Sequence, residues 1–151
     1  MDLGIFPKMK CCFWGFINTC MNSKFGGVHV RKKNYKGRTE KRNLNKCEDV
    51  CRTFDKIQYL YADLLSESED VKSFQVNVLL EGLDIGDYTS DFVITKADGN
   101  IMVRECISRN YLTKPLTAKL LDASRKYWIS HGVSDWGIVI EREEGELNGK
   151  E

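Results

Sequence analysis

Apolar and polar positions along the chain predict a helix, three strands, a second helix and a last strand. The first helix is predicted from about Glu40 to Leu65, because apolar residues there recur every three or four positions, as on one face of a helix. The apolar residues with this spacing are Val50, Phe54, Ile57, Leu60, Tyr61, Leu64 and Leu65. A polar, acidic run at residues 66–70 then ends the helix.

Three strands are predicted after this helix. The first covers Val71 to Leu80, where apolar residues partly alternate, as in a strand with one buried face. The second covers Asp91 to Thr95 and the third Ile101 to Ile107, with the turn Asp98-Gly99 between them. Because the connection is short, these two strands are predicted to form a hairpin.

A helix and a strand complete the predicted fold. The helix is predicted to begin at Thr113 or Thr117, and the strand to cover Asp135 to Glu141. Trp128 of the helix and Trp136 of the strand lie on apolar faces, so both are predicted in the core. The element order αβββαβ predicts an α/β sandwich in which a meander of three strands is completed by a crossover helix and a fourth strand.

Composition predicts one domain with an extension at each end. The chain has 151 residues, 42% of them hydrophobic and 30% charged, which is enough for one buried core. The predicted core spans residues 37–141, between a basic, cysteine-containing extension at residues 1–36 and an acidic tail at residues 142–151. No stretch of about 18 apolar residues could span a bilayer, and no signal-peptide cleavage site is evident. An intracellular, cytoplasmic protein without a membrane partner is therefore predicted.

The six cysteines do not have the paired short spacings of zinc sites, and only two histidines accompany them. The cysteines are Cys11, Cys12, Cys20, Cys47, Cys51 and Cys106. Cys47 and Cys51 are four residues apart on the predicted first helix, a spacing that could place two thiolates on one face. The alternative is that the cysteines are buried thiols that act as small apolar residues. Zinc is not expected.

Charge is distributed unevenly along the chain. Residues 1–56 contain 13 Lys and Arg against 5 Asp and Glu, whereas residues 57–151 contain 10 against 17. The densest basic segment could follow a phosphate backbone, so DNA is predicted as a partner, although a solvated loop has a similar composition. Its basic residues, the predicted DNA-binding set, are Arg31, Lys32, Lys33, Lys36, Arg38, Lys41 and Arg42.

Asp91 and Glu105 are candidate ligands of a divalent cation. Asp91 opens one strand of the predicted hairpin and Glu105 ends the other, so both carboxylates are predicted at one end of the hairpin. Carboxylate oxygens suit Mg²⁺ or Mn²⁺. Alternatively, both acids are ordinary strand-end residues, solvated or paired with Arg104 and Lys96.

The joint order of these segments is similar to that of the PD-(D/E)XK nuclease superfamily, and within it to the TnsA-type transposon endonucleases. The segments are Tyr88-Thr89-Ser90-Asp91-Phe92, Asp98-Gly99, Val103-Arg104-Glu105-Cys106 and Val133-Ser134-Asp135-Trp136-Gly137-Ile138-Val139. The resemblance covers about residues 37–141 and implies a restriction-endonuclease-like core, with a mixed central sheet flanked by helices. It also implies a DNA-associated protein of a mobile genetic element, with a transposase or defence complex as a possible partner.

The resemblance also assigns roles to individual residues. Asp91, Glu105 and the backbone carbonyl of Cys106 would bind the metal, and a lysine two residues after the glutamate would position the attacking water. The family tends to have an acidic residue on its first helix as well. In this chain Gln58 falls near that position, and Asp55, one turn earlier, is the candidate ligand.

Ile107 stands where the family has its lysine. Residues two apart share a strand face, so Ile107 is predicted to face the same side as Glu105, and an aliphatic group cannot orient water. If cleavage persists, Lys114 or Lys119 of the following helix would have to reach back toward the carboxylates. Alternatively, the fold binds DNA or protein without chemistry, as a targeting factor or as a phage or mobile-element inhibitor of host defence.

Overall fold

The computed structural model describes residues 39–142, which form six strands and three helices. In chain order these elements are β1 Glu40–Arg42, β2 Cys51–Thr53, α1 Lys56–Glu67, β3 Val71–Leu80, β4 Tyr88–Lys96, β5 Ile101–Cys106, α2 Arg109–Leu112, α3 Pro115–Ser130 and β6 Asp135–Val139.

A four-stranded mixed sheet lies at the centre of the fold. Its strand order is β3-β4-β5-β6, in which the first two neighbouring pairs are antiparallel and β6 runs parallel to β5. Helix α3 makes the connection that a parallel pair requires. The predicted αβββαβ order is confirmed as a mixed α/β fold, to which β1 and β2 add a separate two-stranded antiparallel sheet.

Two apolar clusters contain the buried side chains of the sheet and the long helices. The α1-side core joins Ala62 and Leu65 of α1 to Phe74, Phe92 and Ile94 of β3 and β4. The α3-side core joins Trp128 of α3 to other residues of the same strands and to β5. These residues are Val78, Leu80, Tyr88, Val93 and Val103. Since each long helix contributes to a different cluster, the central sheet is packed by helices from two sides.

Strands β3 and β4 change their buried face midway. Val76 and Phe92 pack in the α1-side core, whereas Val78 belongs to the α3-side core and Ser90 bonds to an α3 side chain. In a regular strand, residues two apart point to the same face. The exception coincides with Asn77, which has a φ of 54°. The chain segment containing Asp91 therefore lies where neighbouring side chains point toward different helices.

The predicted first helix is wrong over its first half. Residues 40–42 and 51–53 are strands, and α1 begins at Lys56. Cys51 and Thr53 are buried while Arg52 is exposed, which is the alternation of a strand. Asp55 ends this extended segment as the N-cap of α1, since its Oδ1 accepts a 2.8 Å hydrogen bond from the Gln58 N–H.

Cys47 and Cys51 consequently do not share a helix. Cys47 forms an isolated parallel bridge with Phe74 of β3, and Cys51 begins β2. Cys51 is buried in the α1-side core, and Cys47 packs against that core. The placement of both thiols on one helix face, which the spacing suggested, is therefore wrong.

The remaining predicted elements are present with adjusted ends. The predicted strand at Val71–Leu80 is confirmed at both ends. The second strand begins three residues earlier than predicted, at Tyr88, and β6 ends at Val139 rather than at residue 141. Helix α3 begins at Pro115, which suits the first turn because its missing N–H would have no helical partner there.

The two tryptophans predicted in the core differ in burial. Trp128 is buried, as predicted, and Trp136 is half-buried against the α3-side core. The predicted extension at residues 1–36 lies outside the described residues, as does the tail beyond Arg142. None of the helices in residues 39–142 is long and apolar enough to cross a membrane.

Candidate functional site

Asp91 and Glu105 lie side by side on neighbouring strands of the sheet. Phe92 of β4 pairs with Arg104 of the antiparallel strand β5. Asp91, one residue before Phe92, therefore lies opposite Glu105, one residue after Arg104. Their proximity, as the hairpin predicts, includes a direct contact, since the Asp91 N–H donates to Glu105 Oε2 at 3.3 Å. Both side chains are buried, with 1% of Asp91 and 0% of Glu105 exposed.

The Asp91 carboxylate accepts hydrogen bonds from a helix and from the adjacent strand. Gln58 Nε2 of α1 donates to Oδ1, and the Cys106 N–H of β5 donates to Oδ2 at 2.7 Å. The Gln58 amide is oriented by the Phe54 N–H, which donates to its Oε1 at 2.8 Å. Gln58 thus lies at the predicted position near Asp91, with its NH₂ group toward the acid.

The Glu105 carboxylate accepts hydrogen bonds from α3 and β4. Ser124 Oγ donates to Oε1 at 2.7 Å, and the Tyr88 hydroxyl donates to Oε2 at 3.1 Å. Glu105 and Ser124 have no exposed surface, and Tyr88 is almost as deeply buried. Burying an ionised carboxylate is costly unless such donors replace its water.

A chain of polar side chains extends from Ser124 through the α3-side core. Trp136 Nε1 donates to Ser124 Oγ at 3.2 Å, and Trp128 Nε1 donates to Ser90 Oγ at 2.8 Å. The Ser90 and Ser124 hydroxyl oxygens lie 3.3 Å apart. Both indole N–H groups are thereby satisfied within the hydrogen-bonded group that surrounds Glu105.

Sequence reasoning missed Ser90, Ser124 and Tyr88 as neighbours of the acids. The signal was present on α3, because Ser124 lies three residues after Leu121 and four before Trp128, on the buried face of the helix. A polar residue at such a position requires a buried partner. The sequence did not identify Glu105 as that partner, since the contact depends on how the helix packs on the sheet.

The lysines proposed to replace the motif lysine lie on the protein surface. Lys114 is the exposed N-cap residue of α3, and its Nζ lies 4.0 Å from the ring centroid of Tyr111. Lys119 is exposed on the same helix. Ile107, at the motif position, is 1% exposed. The lysines are therefore solvent-facing, whereas the two acids are enclosed.

Two residues of the predicted DNA-binding set are described, both on β1. Lys41 is exposed. Arg42 pairs with Asp63, donates to the Tyr59 carbonyl at 2.8 Å and stacks over the Tyr59 ring at 3.4 Å from its centroid. Its guanidinium attaches β1 to α1. The other predicted residues, Arg31, Lys32, Lys33, Lys36 and Arg38, lie outside the described residues.

Arg104 and Lys96 both pair with Asp135 at the start of β6. Arg104 Nη2 lies 2.7 Å from Asp135 Oδ1, and Lys96 Nζ contacts Oδ2. The hydrogen bond from Lys96 is the main cause that lowers the Asp135 pKa, and Arg104 adds to it, while partial burial opposes both. This cluster joins β4, β5 and β6 through side chains.

Within residues 39–142, no group of three or more His, Cys, Asp or Glu side chains is arranged to hold a metal ion. The fold and site define a mixed α/β protein with a buried acid pair between β4 and β5. No protein-family model matches the chain, and no curated protein is significantly similar to it.

Proposed function

We propose that this chain is a DNA-associated accessory protein of a mobile genetic element and that it does not cleave DNA. The observation that carries the proposal is the bonding of the two acids. Each oxygen of Asp91 and Glu105 accepts a hydrogen bond from a protein N–H or O–H group. The acids therefore act as buried acceptors that join helices to the sheet.

Magnesium does not fit this set of groups. Mg²⁺ needs near-octahedral oxygen ligands and usually keeps several waters. Here N–H and O–H groups point at the carboxylates, and the side chains have almost no contact with solvent. Cys106, expected to offer its carbonyl, donates its N–H to Asp91 Oδ2. The buried Ile107 supplies no charge where a nuclease would use an ammonium group.

DNA association is supported by charge. The seven basic residues between positions 31 and 42 are part of the strongly basic first third of the chain. Basic residues at this density can neutralise several phosphates without reading base sequence. The resemblance to TnsA-type endonucleases supports a mobile element as the setting of this activity.

Binding and cleavage are tested on the full chain. We expect the fluorescence anisotropy of a labelled duplex to report binding that weakens roughly 100-fold or more between about 50 and 200 mM salt, because phosphate contacts release counterions. We expect replacement of Arg31, Lys32 and Lys33 by Glu to weaken binding at least about tenfold. The matched control Lys72→Glu, an exposed charge reversal on β3, is expected to bind within about twofold of the wild type.

Nicking of supercoiled plasmid in Mg²⁺ or Mn²⁺ is the second measurement. The expected result is intact plasmid with the wild-type protein. Metal-dependent nicking that Asp91→Asn and Glu105→Gln each abolish would show that the acids are catalytic, and the proposal would be overturned. Binding that is undetectable or independent of salt would instead favour a protein partner.

A further inference from the structure

An apolar hollow lies between the second half of α1 and the turn that joins β4 to β5. Its volume is about 540 Å³, within the range of roughly 300–1,000 Å³ that is typical of pockets for compact ligands. Leu64, which lines it, and Leu60, one turn earlier, are the exposed leucines of α1. The apolar lining of this α1 hollow consists of Tyr61, Leu64, Leu65, Val71, Ala97 and Met102.

Carboxylates surround the α1 hollow. Asp70 and Asp98 line it and are exposed. Glu67, the last residue of α1, and Glu69, in the connection to β3, are exposed on the same approach. Lys96 also lines the hollow, but its Nζ is paired with Asp135. An apolar floor with an acidic rim favours a ligand that combines large apolar side chains with lysines.

The described chain begins beside the same helix. Arg42 of β1 pairs with Asp63 and donates to the Tyr59 carbonyl. Asp63 and Tyr59 immediately precede the two exposed leucines, Leu64 and Leu60. The residues before β1 therefore join the described fold next to the α1 hollow.

We propose that residues 8–17 of the same chain, the N-terminal apolar segment, dock on the α1 hollow. This segment is Lys8-Met9-Lys10-Cys11-Cys12-Phe13-Trp14-Gly15-Phe16-Ile17. Its four large apolar side chains would cover the hollow and the two exposed leucines, since burial of apolar surface against apolar surface is favourable. Its two lysines would meet the acidic rim.

Chain length permits this docking, because the 22 residues from Ile17 to Thr39 reach up to about 70 Å when extended. Most of the predicted DNA-binding residues lie between the N-terminal apolar segment and β1. Docking would thus tie the basic stretch to α1 at both ends. The docking itself does not depend on DNA, so its test uses the protein alone.

Disulfide trapping in the full chain tests the proposal. The N-terminal apolar segment already contains Cys11 and Cys12, and Leu64→Cys adds a partner at the hollow. Trypsin cleavage then gives residues 11–24 linked to residues 57–72, a stretch with no native cysteine. We expect copper–phenanthroline oxidation to form this link roughly tenfold faster than a link to a remote surface cysteine, because docking raises the local concentration of the thiols.

Leu116→Cys is the matched control. Leu116 is an exposed leucine of α3, the helix that packs in the other apolar cluster. Its tryptic peptide covers residues 110–119, which also contain no native cysteine. Equal rates of linkage for Leu64→Cys and Leu116→Cys would overturn the proposal.

Two further changes in the Leu64→Cys protein test the apolar and the charged contacts. Replacement of Phe13, Trp14 and Phe16 by Ser is expected to lower the rate to that of the control. Glu67→Gln with Glu69→Gln is expected to slow linkage at low salt by about twofold or more. Glu81→Gln with Asp84→Asn, exposed acids between β3 and β4, should leave the rate unchanged.

Non-reducing electrophoresis of dilute protein identifies the chain that supplies the segment. We expect the linked peptides in the monomer band. Linked peptides in the covalent dimer alone would assign the segment to a second copy and overturn docking within one chain. A rate that the three serine substitutions leave unchanged would likewise overturn the proposal, because the aromatic side chains would then not hold the segment in place.

Discussion

At the scale of single residues, the acid pair is stabilised by named donors rather than by solvent. Asp91 takes its hydrogen bonds from Gln58 and Cys106, and Glu105 takes its hydrogen bonds from Ser124 and Tyr88. Bonds to a charged acceptor contribute more than neutral ones, and loss of a donor leaves a buried acceptor unsatisfied. The side chains that matter most for stability are thus polar groups inside the core.

The Ser124 hydroxyl provides a test of this point. We expect Ser124→Ala to lower the free energy of unfolding by about 1–3 kcal/mol, because Glu105 Oε1 loses its donor and Trp136 Nε1 loses its acceptor. Chemical denaturation measures the change. The control Ser130→Ala, an exposed serine at the end of the same helix, is expected to change stability by less than about 0.5 kcal/mol. Equal effects of the two variants would contradict a structural role for the buried hydroxyl.

At the scale of elements, the sequence predicted strands better than the first helix. The β3 bounds were predictable because alternating apolar residues lie between an acidic run and glycines. The apolar stripe of the first helix was misleading, since Leu60 and Leu64 are 51% and 62% exposed. The buried face of α1 is instead formed by Gln58, Ala62 and Leu65. Apolar spacing alone cannot identify a buried glutamine as part of a helix's buried face.

The change of buried face at Asn77 gives a prediction for β3. A β-branched residue disfavours positive φ, so we expect Asn77→Val to destabilise the protein by about 1–2 kcal/mol. Asn77→Gly should remain within about 1 kcal/mol of the wild type, because glycine accepts this φ and only the bond to the Arg52 carbonyl is lost. Thermal and urea denaturation report both effects.

Lys72→Val is the matched substitution for that experiment. Lys72 is an exposed position on the same strand without a positive φ, so the strain expected of a β-branched residue at Asn77 does not arise there. If Asn77→Val were no more destabilising than Lys72→Val, the backbone conformation at Asn77 would not be important for the path of the strand.

At the scale of the whole molecule, the sequence predicted the order of elements and the meeting of the two acids, but not their burial. Element order follows from local patterns. Burial depends on the packing of α1 and α3 onto the sheet, which brings Gln58 and Ser124 to the acids from opposite ends of the described chain. Such long-range contacts leave no local pattern in the sequence.

The acid stability of the whole molecule should reflect Asp135. Its pKa is lower in the folded protein than in the unfolded chain, so its ionised form stabilises the fold above pH of about 4, and this contribution is lost as the pH falls through the folded value. We expect Asp135→Asn to be less stable at neutral pH by up to about 1 kcal/mol, since the carboxylate is partly exposed.

Below the folded-state pKa of Asp135 the difference should disappear, because wild-type and variant then both place a neutral side chain beside Lys96 and Arg104. Urea denaturation across this pH range is the measurement. The control Asp122→Asn, on the exposed face of α3, is expected to show a smaller difference at neutral pH. A destabilisation by Asp135→Asn that persists in acid would rule out the charge as its cause.

The contact between the Asp91 N–H and Glu105 also has a consequence for how the molecule opens. One acid depends on α1 for a donor, and the other depends on α3. Detachment of α1 would uncover Asp91, whose own N–H is bonded to Glu105 on the α3 side. Detachment of α3 would uncover Glu105, which remains bonded to the backbone of Asp91. Partial opening is therefore penalised on both sides, and the slowest amide protons of α1 and α3 should exchange with deuterium in a single cooperative event.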